Sequence, residues 1–346
     1  MYAESELRIP SFEDLKIPFP VRMNVNSSLA HDLTQEWALR YHLISDSKSF
    51  DHFKRLAYAQ LVARACPDAD LEDLALLSQW MTFFFILDDQ QDNAIFTDRI
   101  RAFEELHSSL SRTLLSSGED SPGSGGPLVS AFADLCQRTA SQVSPERYHR
   151  LAGHLRYLFA GQVAENSYRQ DQAVPTVNDF ISVRRAGSTV HANLDLIEIC
   201  AGVEVPEYIY HTPAYQELIL SIADVTCWCN DIWSAERDWS CGDPINFVVA
   251  LRSNMGVDLQ VAVDLAEGRL RRRISENIAA ELELRNTMRS MNVPEETRRD
   301  VLKAVDLGRN WLSGVAIWYW SETTRLIEHA RATPRTNPDF VADLLI

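Results

Sequence analysis

The sequence has little positive charge and few of the signals that mark membrane spans or exported proteins. It contains 33 lysine and arginine residues against 49 aspartate and glutamate residues, and the formal net charge is −16. This balance disfavours nonspecific binding to nucleic acid or to an anionic membrane. No apolar run approaches the roughly 20 residues of a transmembrane helix. Because Glu4 and Glu6 lie in an N-terminus without an apolar segment, no signal peptide is predicted and a cytoplasmic location is expected.

Motifs for several common kinds of site are also missing. The six cysteines are scattered, and Cys227 and Cys229 are too close for a zinc-ligand pair, so reduced thiols are expected. The nine histidines show no metal-ligand spacing, and His191 is interpreted as a structural residue. No glycine-rich nucleotide loop or serine-histidine-aspartate pattern is present. The sequence therefore gives no support for a zinc enzyme, a nucleotide-binding enzyme or a serine hydrolase.

Apolar residues recur with helical periodicity from Leu33 almost to the end of the chain, and there is almost no strand signal. We predict an all-α fold of ten or more helices in a single domain, 1–346. The chain should begin with an extended, proline-punctuated strap, about 1–29. A glycine- and serine-rich stretch at 117–127 predicts a mobile surface loop. The predicted helices include 49–65, 71–89, 213–235 and a last one from 294 to about 330.

An acidic cluster, Asp88-Asp89-Gln90-Gln91-Asp92, directly follows an apolar run that ends at Leu87. On a helix, Asp88 and Asp92 share one face, where their like charges repel unless a cation offsets them. Such hard oxygen ligands suit Mg²⁺, which often shares phosphate oxygens with a substrate. Taken alone, the cluster is more typical of a solvated acidic helix end than of a metal site.

A second apolar helix also ends in oxygen-bearing side chains. Asn230, Ser234 and Asp238 are spaced i, i+4 and i+8, so they lie near one helical face and span ~12 Å. An amide oxygen, a hydroxyl and a carboxylate make a plausible chelate for a hard cation. If the two helices face each other across a bundle, their polar ends would form one metal site.

These two motifs resemble those of the class I terpene synthases of the microbial, single-domain kind. Residues 88–92 match the family motif DDxxD in full, and residues 230–238 match (N/D)DxxSxx(K/R)E except that Asp238 replaces the usual glutamate. The resemblance implies a helical bundle around a central apolar cavity. It also implies that Asp88, Asp92, Asn230, Ser234 and Asp238 bind Mg²⁺, with three ions in the complete site.

The resemblance extends to residues that contact a diphosphate. The family's diphosphate-sensing arginine lies about 46 residues before the asparagine of the second motif, which is the position of Arg184. Arg185 is the alternative if the register differs by one. Gly187 and Ser188 match the linker and effector positions, at a helix break. Two further arginines, Arg237 and Arg325, match the other basic positions.

The chain departs from the family at the end of the catalytic region. Where the family has an arginine-tyrosine pair, Arg325 is followed by Leu326. One hydroxyl donor to the diphosphate is therefore missing from its usual place.

Aromatic residues are expected to line the cavity and to stabilise a carbocation, at ~0.5–2 kcal/mol each. Phe84 and Phe85 precede Asp88 by about one helical turn. They are the pocket candidates, together with either Trp318 or Trp320 on the last long helix.

The inferred reaction is ionisation and cyclisation of an isoprenyl diphosphate, with farnesyl diphosphate (C15) as the leading substrate. Geranylgeranyl diphosphate (C20) is the main rival, because sequence does not give the volume of a pocket. Chain elongation by an isoprenyl diphosphate synthase and a non-catalytic helical scaffold are the remaining alternatives. The expected partner is this small substrate rather than nucleic acid or a membrane. The family is often dimeric, so a homodimer is also considered.

Overall fold

The structure is a computed structural model that describes residues 7–44, 47–116, 125–325 and 343–345. The first six residues of the expected strap lie outside these ranges. So do residues 117–124 of the expected loop and Leu326.

All regular secondary structure in the described residues is helical, which confirms the all-α prediction. Within the described ranges, sixteen α-helices are followed by a π-helical turn, Trp318–Glu322. The α-helices are α1 (Phe12–Leu15), α2 (Ser27–Arg40), α3 (Ser47–Leu56), α4 (Tyr58–Ala65), α5 (Leu71–Phe96), α6 (Ile100–Leu115), α7 (Gly126–Ala140), α8 (Pro145–Gln170), α9 (Val177–Gly187), α10 (Val190–Cys200), α11 (Glu207–Tyr210), α12 (Pro213–Trp233), α13 (Ala235–Cys241), α14 (Phe247–Met255), α15 (Leu259–Ser290) and α16 (Glu295–Ile317).

Short polar side chains set the starts of the helices that build the interior. Asp70, Ser144 and Thr212 each accept a hydrogen bond from a backbone N–H in the first turn of α5, α8 and α12, respectively. These bonds satisfy donors that have no partner within the helix. Pro145 and Pro213 occupy the first helical positions, where the missing N–H costs nothing.

The helix boundaries differ from the sequence prediction at several places. The expected extended strap contains the short helix α1 (Phe12–Leu15). The predicted helix 49–65 is divided at Ala57, whose φ of 56° lies in the left-handed region. Helix α5 continues to Phe96, so the acidic cluster lies within a helix rather than at its end. Helix α12 ends at Trp233, and Ser234 separates it from α13. The last helix becomes a π-helical turn at Trp318.

The N-terminal strap crosses the ends of several later helices. Trp233 donates its indole N–H to the carbonyl of Pro10 at 2.8 Å, and Ser313 donates to that of Pro20 at 2.8 Å. Asn24 is buried and donates to the carbonyls of Cys66 and Ala69. The strap is thus held by specific polar contacts to the helices beneath it.

One set of mutually packed, buried apolar side chains extends from Leu15 to Leu345. Helix α12 is buried on nearly all sides and packs against α15 and α16, so it lies at the centre of the bundle. None of the described helices has the length and apolarity needed to span a bilayer.

Candidate functional site

A cavity opens beside the centre of the bundle, and helices from most of the chain contribute to its wall. The lining residues are Leu61 from α4, Met81, Phe84, Phe85 and Asp88 from α5, Gln162 from α8, Arg184, Gly187, Ser188 and Thr189 from α9 and the break after it, Val190 and Asn193 from α10, Thr226, Cys227 and Asn230 from α12, and Trp311, Val315, Tyr319 and Arg325 from the C-terminal part. Eight of the residues predicted from sequence line this one cavity. In particular, Asp88 and Asn230 lie on its wall together rather than on opposite sides of the molecule.

Arg325 connects the C-terminal segment to the acidic cluster. Its Nη2 lies 2.7 Å from Asp88 Oδ2 and 2.8 Å from Asp89 Oδ1. Its Nη1 donates to the hydroxyl of Tyr58 at 3.3 Å, and its guanidinium lies 4.9 Å from the centre of the Phe85 ring. Burial lowers the pKa of Arg325, but Asp89, Tyr58 and Asp88 raise it by more, so the side chain stays cationic.

Asp92 lies one helical turn beyond Asp88, and nearby arginines balance its negative charge only in part. Burial, followed by repulsion from Asp88, raises the pKa of Asp92 to about 7. Arg169 and Arg237 lower this pKa only in part. A carboxylate in this state is stabilised by any cation that binds beside it.

Arg184 spans the gap between the cavity and the second motif. Its Nη2 donates to Asn230 Oδ1 at 3.2 Å and to Asp231 Oδ1 at 2.8 Å. Burial raises the pKa of Asp231 to about 6, even though Arg184 opposes this shift. The guanidinium is therefore aimed at the polar end of α12, where a diphosphate would be expected.

The neighbouring Arg185 points elsewhere. Its Nε and Nη2 bind the two oxygens of Asp224 at 2.7 and 2.6 Å, and Arg273 donates to the same carboxylate. Arg185 is not among the residues that line the cavity. Of the two registers left open by the sequence, the geometry favours Arg184.

Gly187 ends α9, and the chain is non-helical until α10 begins at Val190. The expected helix break is therefore present, and glycine is needed there for packing rather than for an unusual backbone angle. Gly187 does not have a positive φ. Instead, a Cβ atom there would lie 2.4 Å from Oε1 of the buried Glu165. Glycine is required by close packing of α8 against α9 rather than by backbone angles.

The second motif forms a compact hydrogen-bonded cluster. Ser234 donates to Asp238 Oδ2 at 2.6 Å, and Arg237 Nε donates to Asp238 Oδ1 at 2.7 Å. Asn246 donates to the same Oδ2 at 2.9 Å and to the carbonyl of Asp231 at 2.8 Å. Asn230 lines the cavity, whereas Ser234, Arg237 and Asp238 are not among its lining residues.

The expectation of a cavity tryptophan at 318 or 320 does not match the structure. Trp318 is fully buried and donates its indole N–H to the carbonyl of Ala57 at 3.0 Å. Trp320 is 41% exposed and packs on Trp233. The π-helical turn changes the angular register of this segment, so that Tyr319 lines the cavity. Trp311, about two helical turns before it, also lines the cavity.

Several site residues lie outside any motif that the sequence analysis used. Gln162 and Asn193 carry buried amides on the cavity wall. Tyr58 supports Arg325 from α4, and nothing in the sequence links these two positions. Asn246 was detectable, because it caps α14 by accepting from the backbone N–H groups of residues 248 and 249 just before an apolar run.

The two motifs offer oxygen atoms as possible ligands for a metal ion. No three histidine, cysteine, aspartate or glutamate side chains converge as a metal site within the part of the chain that the structure describes. A cation would therefore depend on Asn230 and Ser234 oxygens and on ligand oxygens as well as on carboxylates. The all-oxygen donors and the poorly compensated charge of Asp92 fit a hard divalent ion.

The sequence relatives agree with this arrangement. The model of terpene synthase family 2, C-terminal metal binding, matches residues 79–276, which is more than half of the chain. Pristinol synthase of Streptomyces pristinaespiralis is 28% identical over 306 residues, covering 88% of this chain and 82% of that protein. A (+)-T-muurolol synthase of Roseiflexus castenholzii, named as cyclising (2E,6E)-farnesyl diphosphate, is 30% identical over 252 residues, covering 73% and 76%.

Solved structures show the same fold. The crystal structure of an α-eudesmol synthase superposes with a TM-score of 0.81 at 22% identity, covering 91% of this chain and 99% of that one. A hedycaryol synthase gives a TM-score of 0.79 at 24% identity, with 91% and 99% covered. The chain belongs to terpene synthase family 2, a family with a metal-binding C-terminal domain, and is a class I terpene cyclase.

Proposed function

We propose that this enzyme ionises farnesyl diphosphate with Mg²⁺, closes the resulting carbocation into a ring system and releases pyrophosphate. The observation that carries the proposal is that Asp88, Asn230, Arg184 and Arg325 line one cavity together with apolar side chains, which include Leu61, Met81, Phe84, Phe85, Trp311 and Val315. One end of such a cavity suits a metal-bound diphosphate, and the other suits a hydrocarbon chain. A single domain, 1–346, would supply the whole site.

The arginines stabilise charge on the leaving group. Breaking the allylic C–O bond places negative charge on the diphosphate oxygens, and a guanidinium can meet these oxygens with two parallel hydrogen bonds. Arg184 and Arg325 are already held at the cavity by carboxylates, so both guanidinium groups lie at the cavity before the diphosphate arrives. Arg237, held against Asp238, is assigned to the same task.

Asp88, Asp92, Asn230, Ser234 and Asp238 are the residues that would hold the metal. When bound, Mg²⁺ supplies further charge stabilisation to the departing diphosphate. Three ions would be consistent with the size of this donor set. Asn246 orients the second motif, because it binds Asp238 and the backbone of Asp231 together.

The hydrocarbon part of the substrate would fold against the apolar wall. Phe84 is buried there, and Phe85 stacks on Tyr58 with ring centres 4.4 Å apart, so its face has a fixed orientation. A fixed aromatic face attracts a carbocation and keeps water away from it. Tyr319 and Trp311 extend this aromatic surface on the opposite helix.

The C15 chain length rests on the relatives. The T-muurolol synthase and several others are named as cyclising (2E,6E)-farnesyl diphosphate. Their similarity covers most of this chain, and it gives no comparable support for C20 substrates or for chain elongation.

The test is incubation of the purified enzyme with the C10, C15 and C20 diphosphates in separate reactions with Mg²⁺. Released pyrophosphate and extracted products are measured, the latter by gas chromatography–mass spectrometry. We expect cyclic C15 products and pyrophosphate with the C15 substrate, and neither when Mg²⁺ is removed with EDTA. A longer diphosphate formed on addition of isopentenyl diphosphate would instead show chain elongation. Faster turnover of the C20 diphosphate than of the C15 diphosphate would contradict the assignment of farnesyl diphosphate as the substrate.

A further inference from the structure

Helices α8 and α10 each contribute a buried amide side chain to the cavity wall, Gln162 and Asn193, respectively. Asn193 lies in the first turn of α10, is 1% exposed and lines the cavity. Its Nδ2 donates to Thr189 Oγ1 at 2.9 Å. Its Oδ1 accepts no hydrogen bond from any residue that the structure describes. A buried amide oxygen without a donor is unfavourable, so a ligand that supplies a donor would be bound there.

The substrate itself is not that ligand. An isoprenyl diphosphate has hydrogen-bonding atoms only in its diphosphate, and those atoms accept hydrogen bonds rather than donate them when ionised. Their partners at this cavity are Arg184 and Arg325, which carry the positive charge. The hydrocarbon part of the substrate, which would fill the rest of the cavity, cannot donate a hydrogen bond to Asn193 Oδ1.

A water molecule satisfies all the conditions. It donates to an amide oxygen, and a buried water needs two to four polar partners. Thr189 and Gln162 line the same cavity as Asn193, and Gln162 is only 3% exposed. Phe84, Met81 and Val315 line the same cavity and offer a water molecule no hydrogen bond, so a bound water would stay beside the polar side chains.

We propose that Asn193, with Thr189 and Gln162, holds a water molecule that adds to the carbocation, so that the product is a cyclic terpene alcohol. This inference rests on the proposed function and specifies its last step. The oxygen lone pair of water forms the new C–O bond with the cationic carbon. The resulting oxonium loses one proton to the released pyrophosphate. The sum is substrate plus water giving alcohol plus pyrophosphate, and no oxidant or reductant is involved.

The competing outcome is direct stabilisation of the cation by the Asn193 amide dipole, followed by proton loss to a hydrocarbon. The two outcomes differ in whether the product contains an oxygen atom taken from water. We therefore propose a reaction of wild-type enzyme with farnesyl diphosphate and Mg²⁺ in H₂¹⁸O. The expected main product is a cyclic alcohol whose mass is raised by the label. A product set of hydrocarbons, or an unlabelled alcohol, would overturn the inference.

Asn193→Leu removes the amide at nearly constant size. It should lower the alcohol share of the product about tenfold, which corresponds to losing one hydrogen bond to the water, and hydrocarbons should replace the alcohol. Pyrophosphate release should continue, because Arg184 and Arg325 are unchanged. The matched control is Asn277→Leu, since Asn277 is also buried but donates to Ser221 on a face away from the cavity. Its alcohol share should stay at the wild-type level.

If Asn193→Leu does not fold, Asn193→Ala is measured in the same way. An unchanged alcohol share in a folded variant would overturn the role of Asn193. Failure of this inference and failure of the proposed function are distinguishable. Absence of pyrophosphate release with every isoprenyl diphosphate defeats the function, whereas pyrophosphate release with hydrocarbons alone defeats only the water site.

Discussion

Arg325 Nη2 lies 2.7 Å from Asp88 Oδ2, and this contact joins the C-terminal segment to the acidic cluster of α5 across 237 residues of chain. The same Nη2 lies 2.8 Å from the buried Asp89. A residue expected to bind diphosphate and one expected to bind metal therefore neutralise each other. Binding of a metal diphosphate would separate them, and each would then meet a ligand of opposite charge.

The first prediction concerns the stability that Arg325 provides. Arg325→Met leaves Asp89 buried without its cation, so we expect the free energy of unfolding to fall by about 3–5 kcal/mol. Asp89 is sensitive to this loss because burial already raises its pKa. Urea unfolding followed by circular dichroism measures the change.

The control is the double variant Asp89→Asn, Arg325→Met. Because the buried charge is removed together with its partner, this variant should regain a large part of the lost stability. If the stability changes of Asp89→Asn alone and Arg325→Met alone add up to the change in the double variant, the Asp89–Arg325 contact contributes nothing to stability.

The second prediction concerns Asp88 itself. Its side chain is 54% exposed, so Asp88→Asn should change stability little, whereas turnover should fall by at least about 100-fold if its charge supports leaving-group departure. The comparison is Asp68→Asn, an exposed aspartate that pairs with Arg22 away from the cavity. Pyrophosphate release and thermal melting are measured for both. Wild-type turnover in Asp88→Asn would show that the metal site lies elsewhere in the molecule.

A third prediction tests the close packing at the helix break. Gly187→Ala would place a methyl group 2.4 Å from Glu165 Oε1 and displace a carboxylate that contacts Arg169 and lies 3.9 Å from Arg184. We expect a loss of about 1–3 kcal/mol in stability, as for other overpacked sites, and lower activity.

Gly153→Ala is the matched control, on the adjacent helix α8. Nothing lies within 4 Å of a Cβ at Gly153, so alanine should be neutral or stabilising there. If both alanine variants behave alike, the packing argument for Gly187 fails.

Much of the architecture was predictable because its signals are local. Helical periodicity identified the all-α fold, and the one-turn offset from Asp88 identified Phe84 and Phe85 as neighbours of the acidic cluster. Both inferences use only the helical repeat, which holds throughout α5. The link between Arg184 and Asn230 came instead from a family spacing, and in the structure the two side chains lie 3.2 Å apart.

What was not predictable depends on breaks in that repeat and on tertiary contacts. Ala57 adopts a left-handed conformation, although alanine favours helix, and its carbonyl accepts from Trp318 far along the chain. The π-helical turn at Trp318–Glu322 changes which aromatic residue reaches the cavity. Gln162 and Asn193 carry no motif, because an amide gains its role only from the helices that bury it.

A fourth prediction concerns Asn246, which the metal-motif analysis missed. Asn246→Ala removes the cap of α14 and the bonds to Asp238 and to Asp231. We expect stability to fall by about 1–3 kcal/mol and the Mg²⁺ concentration for half-maximal activity to rise. Asn254→Ala, on the same helix, removes hydrogen bonds to backbone carbonyls away from the motif and is the control. An equal Mg²⁺ requirement in both variants would argue against a role for Asn246 in the metal site.

A fifth prediction concerns pH. Burial lowers the pKa of His107 to about 4, from 6.5. Between these values the unfolded chain binds a proton that the folded protein does not, so this group's contribution to stability is lost as pH falls through 6.5 towards 4. His107→Phe, which suits the neighbouring Phe103 and Phe159 rings, removes the titration.

The stability of His107→Phe relative to wild type should therefore improve by about 2 kcal/mol between pH 7.5 and pH 5. Urea unfolding at the two pH values measures the difference. His211→Phe is the control, since the His211 side chain is 69% exposed. A relative stability of His107→Phe that does not depend on pH would contradict the assignment.

The central claim is that the acidic face of α5 and the polar end of α12 bind one metal diphosphate between them. The most direct measurement is a crystal structure of the enzyme with Mn²⁺ and pyrophosphate, using anomalous scattering to locate the metal. We predict metal peaks beside Asp88 and within the Asn230, Ser234 and Asp238 group, with the pyrophosphate bridging them and contacting Arg184 and Arg325. Metal and pyrophosphate bound away from these residues, with Arg325 still paired to Asp88, would contradict the account.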